Sequence, residues 1–379
     1  MLNGRDPRID FFRGLALIFI FWDHVPHNPL GQITLRNFGF SDAAEVFVFL
    51  AGYAAVLAYG KILRRDGYWL ASLKILRRAW VLYVVHIFLL AMLMGIVFFA
   101  NSHVETRDLV EEMGLTHFVT HPQQALTDEL LLRFKPNLMD PLPLYIVLLA
   151  GLPLVLPLLL RNTWAVVSVS LAVYLLAPHL GWNLRAIADG VWYFNPVTWQ
   201  LLFVLGGAAA IHASQPHPAQ TQGRLRQPLF VAAALYLLLA GLLTLSWRWP
   251  EFHDALMPSA LGDLLYPISN TDLSPVRLLH FLALAYVTAK LLPHDRWAHH
   301  WLAQQCCRMG RYSLEVFCLG VLLAPLADML NALAGDALAM QLFSALSGVL
   351  IMALLAAWLD YNKCLDETLR TRAAHLTNS

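Results

Sequence analysis

About ten runs of roughly 17–24 residues in this chain are almost wholly apolar, and no other feature limits its fold so strongly. Hydrocarbon offers no hydrogen-bond partner to a backbone N–H or C=O, so a run of that length must satisfy its own backbone as a helix. The runs lie near 11–28, 43–60, 79–100, 142–160, 164–180, 197–213, 228–247, 276–292, 313–333 and 337–358. The expected fold class is all-α: a polytopic membrane protein of about ten transmembrane helices, with 1–379 a single transmembrane domain. Charged residues are only 13% of the chain, against about 25% in soluble domains. The net charge of +1 gives no field that would gather nucleic acid, so membrane lipid is the expected environment and nucleic acid is not an expected partner. Arg5, Arg8 and Arg13 lead into the first run with no small-residue cleavage site after it, which predicts a retained span rather than a cleaved signal.

Lysine and arginine set the orientation. About 19 of the 26 fall in or beside the termini and the connectors 61–78, 161–163, 214–227 and 293–312, so these segments and both termini are expected in the cytoplasm. The longer connections, including 101–141, 181–196 and 248–275, are expected outside. Residues 101–141 should contain short helices around 104–113 and 123–134. Cys306, Cys307 and Cys364 fall in or near cytoplasmic segments and Cys318 inside a span, so no structural disulfide is expected. His299, His300, Cys306 and Cys307 match no common metal spacing, and no metal site is expected.

The first run ends oddly, on Trp22, Asp23 and His24. Ionisable groups at membrane depth are costly and read first as functional. Arg13 and His24 stand eleven positions apart, close to three helical turns, so they share one face and lie roughly 16 Å apart along the axis. That face carries a phosphate-type anchor at the cytoplasmic end and a proton-handling imidazole in the outer half. Arg13 also fits an ordinary positive-inside anchor.

Other polar groups begin at the outer level. Asp42 and Glu45 open the second run, Asn195, Trp199 and Gln200 the sixth, and Arg277 and His280 the eighth. A carboxylate among them, Glu45 or Asp23, would hold the His24 tautomer and raise its basicity. Each also fits a helix cap or an interfacial residue. At the cytoplasmic end, Lys74, Arg77 and Arg78 enter the third run, with His86 about two turns deeper. With Arg13 they make a candidate phosphate site or, alternatively, plain positive-inside charge.

The stretches "RDPRIDFFRGLALIFIFWDH", "NFGFSDAAEVFVFLAGYAAVLAYG", "NPVTWQLLFVLG", "VRLLHFLALAY" and "GRYSLEVFCLG" resemble the OpgC family of bacterial inner-membrane proteins that succinylate osmoregulated periplasmic glucans. The chain is similar, more distantly, to the acyltransferase-3 superfamily, whose first span carries an Arg and a His separated by ten residues, as Arg13 and His24 are here. A basic motif at the third span is approximated by Lys74, Arg77 and Arg78, without a clean Arg-x-Arg. The resemblance implies a multi-pass inner-membrane O-acyltransferase with no tightly bound cofactor. It implies cytoplasmic succinyl-CoA as donor and a periplasmic glucan as acceptor.

On that footing His24 is the expected general base, with Asp23 or Glu45 beside it. Arg13, Lys74, Arg77, Arg78 and His86 are expected to bind donor. Asn195, Trp199, Gln200, Arg277 and His280 are expected to bind substrate. Arg277 and His280 would meet the succinyl carboxylate, and His86 or His280 the oxyanion. Direct transfer is preferred, while an acyl-histidine intermediate, another acyl group, a glycan transporter and a homo-oligomer stay open. The outer-loop aromatics Trp182, Trp192, Tyr193, Trp247 and Trp249 fit either sugar stacking or an interfacial belt.

Overall fold

The computed structural model describes residues 6–215, 226–258, 262–263, 265–292 and 297–377, and most of the 214–227 connector lies outside them. The described residues are all-α. Seven helices are long and apolar enough to cross a membrane: α2 (Ala43–Asp66), α3 (Tyr68–Asn101), α7 (Pro141–Arg161), α9 (Pro196–Ser214), α10 (Arg226–Ser246, apolar over Gln227–Ser246), α14 (Ser313–Leu333) and the Leu338–Leu369 part of α15 (Leu338–Thr377). The remaining expected spans fall on helices of 17 residues: α1 (Pro7–Asp23), α8 (Thr163–His179) and α12 (Pro275–Leu291). The chain is a polytopic membrane protein.

Local chemistry sets the helix ends. Asp6 caps α1, accepting from the Arg8 amide at 3.0 Å, and Pro7 supplies a preset φ at the first turn. The first helix ends at Asp23, earlier than the run 11–28 predicts, because Pro26 disfavours helical backbone at the residue before it. Asp42 and Glu45 form a reciprocal capping box at α2. Gly67, at φ +85°, makes the turn between α2 and α3 that a side chain would resist.

The chain packs as two compact units. One comprises residues 1–32 and 293–379, the other 33–292. In the first, α1 lies against α13 (Trp301–Arg311), α14 and α15. Gly14 meets the Cys306 carbonyl and Gly310 the Asp10 carbonyl, so α1 and α13 touch backbone to backbone. Such contact replaces the hydrophobic drive that hydrocarbon removes between membrane helices. Phe21, almost fully buried, rests its ring on Gly348, and the Trp22 indole donates to the Ala345 carbonyl at 3.2 Å.

In the second unit the same device joins α2 to α9, where Gly52 faces the Phe203 carbonyl and Gly206 the Phe49 carbonyl. Helix α3 packs on α7, α8 on α9, and α10 on α12, with the short α11 (Pro250–Leu256) following α10. The segment between α3 and α7 folds into three short helices, α4 (Leu109–Glu112), α5 (Thr116–Thr120) and α6 (Pro122–Leu130). It returns along α3, where Tyr83 donates to the Leu130 carbonyl at 2.9 Å.

Candidate functional site

His24 stands just past the end of α1, with its side chain exposed. Its Nδ1 lies 2.5 Å from the Ile20 carbonyl oxygen. A carbonyl only accepts, so this contact calls for the proton on Nδ1, which in the neutral ring puts the lone pair on Nε2. The contact follows from the spacing: Ile20 is four residues back, one turn down the same face. Asp23 is half-buried at the last position of the helix. On the same helix Arg13 donates from Nη2 to the Ser313 hydroxyl at 2.5 Å. Ser313 opens α14, so this bond ties the two helices of the unit together.

In the second unit Glu45, Arg277 and His280 come together, with Ser41 and Asp42 completing the cluster. Arg277 donates from Nε to Glu45 Oε1 at 2.7 Å and from Nη2 to Asp42 Oδ2 at 2.9 Å. All three sit at helix starts, so the ion pairs pin α12 to α2. These bonds use two of the five N–H donors of the guanidinium. Ser41 Oγ lies 2.7 Å from His280 Nδ1, both side chains almost fully buried. Gly39 lies directly against His280 Nε2, a place no larger residue could occupy. The Phe40 and Tyr236 rings flank the imidazole at 5.8 and 6.2 Å.

Along α3 the cations and the histidine separate. Lys74, Arg77 and Arg78 are exposed, and the two arginines form no ion pair among the described residues. Lys74 approaches Asp66 at 3.8 Å. His86 is fully buried, its Nε2 2.9 Å from Glu129 Oε1 in an approach that is close but not aligned as a hydrogen bond. Lys135 and Asp140 belong to the same electrostatic cluster, and Lys135 Nζ also sits 3.7 Å above the Trp192 ring. Burial pushes the Asp140 carboxyl up to about 6, against the pull of Lys135 and His86. Burial also pulls the Lys135 ammonium down to about 8, against Asp140 and Glu129.

The residues at the start of α9 serve the protein's own framework. Asn195 caps the helix through the Val197 amide at 3.0 Å and donates to the Trp182 carbonyl and to Asp272 at 2.8 and 2.9 Å. Trp199 is wholly buried, its indole bonded to the Asn270 carbonyl at 2.9 Å. Gln200 exchanges two hydrogen bonds with Ser170, at 2.6 and 2.9 Å. These contacts fasten the loops before α9 and α12.

Several members of these clusters escape sequence reading: Ser41, Glu129, Lys135, Asp140 and Ser313. Their neighbour Asp42 was legible, standing with Glu45 in an Asp-x-x-Glu capping pattern. Glu129 lies on α6 and Lys135 just after it, and only the return of that segment onto α3 brings them to His86.

No curated protein and no solved structure matches the chain significantly. The family model described as OpgC protein matches residues 5–364. That match takes in both units, from the start of α1 to residue 364 in α15. Membership implies acyl transfer, the succinylation of periplasmic glucans, with a glucan and a succinyl donor as substrates. Over nearly its whole length, this chain belongs to the OpgC family.

Proposed function

We propose that the protein transfers succinyl from cytoplasmic succinyl-CoA to a hydroxyl of a periplasmic glucan, across the bacterial inner membrane, with His24 as general base. In this reading about ten helices span the bilayer, α1, α8 and α12 among them, and both termini are cytoplasmic. The cation distribution supports the orientation. The exposed Lys74, Arg77 and Arg78 hold the phosphate end of the donor. The pantetheine arm then extends along roughly the 16 Å between Arg13 and His24.

The observation that carries the assignment is the 2.5 Å contact of His24 Nδ1 with the Ile20 carbonyl. In the neutral ring it leaves the lone pair on the second nitrogen. As the glucan oxygen bonds to the thioester carbonyl carbon, Nε2 takes the hydroxyl proton. The C–S bond then breaks, and the imidazolium returns the proton to the departing thiolate. General-base help of this kind is worth roughly 10²–10⁴-fold. Asp23 adjoins the base on α1. Glu45 and Arg277 fix the entrance of α2.

The test is reconstitution of the purified protein in vesicles with succinyl-CoA inside and glucan outside. Loss of thioester matched by ester on the glucan is the expected result. A transporter would leave the thioester intact, and an acetyl-specific enzyme would leave the glucan without added negative charge.

A further inference from the structure

The segment between α3 and α7 carries a groove that none of these roles uses. It measures about 560 Å³, within the roughly 300–1,000 Å³ usual for ligand sites. Phe98 and Asn101 line it from the end of α3, with Asp108, Phe118, Val119 and Pro122 from the short helices and their turns. Asn101 follows Arg78 by 23 positions of continuous helix, about 35 Å. That exceeds the roughly 30 Å hydrocarbon core, so with Arg78 at the cytoplasmic surface the groove opens at the outer headgroup level.

Its polar groups are preset by the protein itself. Asn101 Oδ1 accepts from the Leu109 amide at 2.7 Å, which fixes the side-chain amide and leaves Nδ2 to donate. Asp108 Oδ1 accepts from the Val110 and Glu111 amides at 2.9 and 3.2 Å, which leaves Oδ2 to accept. The Phe98 and Phe118 rings stand 6.5 Å apart, inclined by 38°. An aromatic pair beside one amide donor and one carboxylate acceptor suits a neutral polyhydroxylated ring. Its C–H faces lie on the phenyl groups, and its hydroxyls both give and take hydrogen bonds. The carboxylate disfavours a phosphate, and a lipid tail would leave both polar groups unpaired.

We infer that this groove holds one ring of the glucan chain. The inference rests on the glucan acyltransferase reading. The groove's open form agrees with a polymer that continues beyond it.

Two variants of the full-length protein in nanodiscs test it. Asp108→Asn keeps the cap, since Asn caps as well as Asp, but removes the charged acceptor. Val119→Trp fills the groove from an exposed position. Each is titrated with unmodified glucan in the absence of donor, and transfer is measured separately. Glucan binding should weaken about tenfold or more in both, with the kinetic loss in the glucan KM rather than in kcat or the succinyl-CoA KM. Wild-type binding in both variants, or no glucan binding by the wild type at millimolar concentration, overturns the inference. Variant-sensitive binding without any succinyl transfer would sustain the groove and defeat the acyltransferase reading. Transfer with variant-insensitive binding would do the reverse.

Discussion

Arg277 donates from Nε to Glu45 at 2.7 Å across 232 residues of sequence, and Asp42 takes its Nη2. A cation buried between two carboxylates is costly to disturb. Removing it strands both acids at the mouth of α2.

Arg277→Ala should therefore destabilise the protein by roughly 3–5 kcal/mol, read as a large drop in Tm in detergent. Adding Glu45→Gln should recover part of the loss, because one stranded charge is gone. An unchanged Tm with selective loss of succinyl-CoA over acetyl-CoA use would instead make Arg277 the reader of the succinyl carboxylate.

His24→Ala should lower glucan succinylation by roughly 10²-fold or more and leave Tm nearly unchanged, since the ring is exposed. Activity should be compared at matched protein levels. Retention of most of it would remove His24 as the base.

Arg77→Ala and Arg78→Ala should each raise the succinyl-CoA KM by about 10–150-fold, the loss of a charge-assisted hydrogen bond worth roughly 1.5–3 kcal/mol. The glucan KM should hold. An unaltered donor KM places the phosphates elsewhere.

Gly52→Ala would drive a methyl group into the Phe203 carbonyl. Overpacking of this kind costs roughly 1–3 kcal/mol. Gly95 on α3 has open space where its Cβ would stand, so Gly95→Ala should be neutral or stabilising by up to about 1 kcal/mol. Equal Tm values for the two variants would refute the backbone contact.

The cluster around His86 gives a signed pH dependence. Folded Asp140 titrates near 6 against an ordinary 3.8, so the folded state holds its proton more tightly and stability falls as pH rises from about 4 to 6. Folded Lys135 titrates near 8 against 10.5, so stability rises again between about 8 and 10.5. Two pKa units set an upper bound of about 3 kcal/mol on the acid branch. Tm measured from pH 4 to 6 should fall for the wild type and stay flatter for Asp140→Asn. Parallel curves would dismiss the Asp140 contribution.

The apolar runs by themselves determined that this chain is a bundle of membrane helices, because in hydrocarbon an unpaired backbone has no other solution. The spacing of Arg13 and His24 was legible for the same reason: one helix fixes the separation and face of its own residues. The tautomer of His24 is nearly as local, needing only the carbonyl one turn below. The partners of Arg277, His280 and His86 were not legible. Asn195, Trp199 and Gln200 stood at an expected outer level, yet packing turned them onto Asp272, Asn270 and Ser170. Those bonds join segments up to 77 residues apart, and no period in the sequence records which helix face meets which. Backbone contacts at Gly52 and Gly206 set how closely α2 and α9 approach. The return of the segment after α3 sets which acid reaches His86. Sequence fixes depth through hydrophobicity, whereas neighbours at that depth are chosen by shape and charge, which only the folded chain brings together.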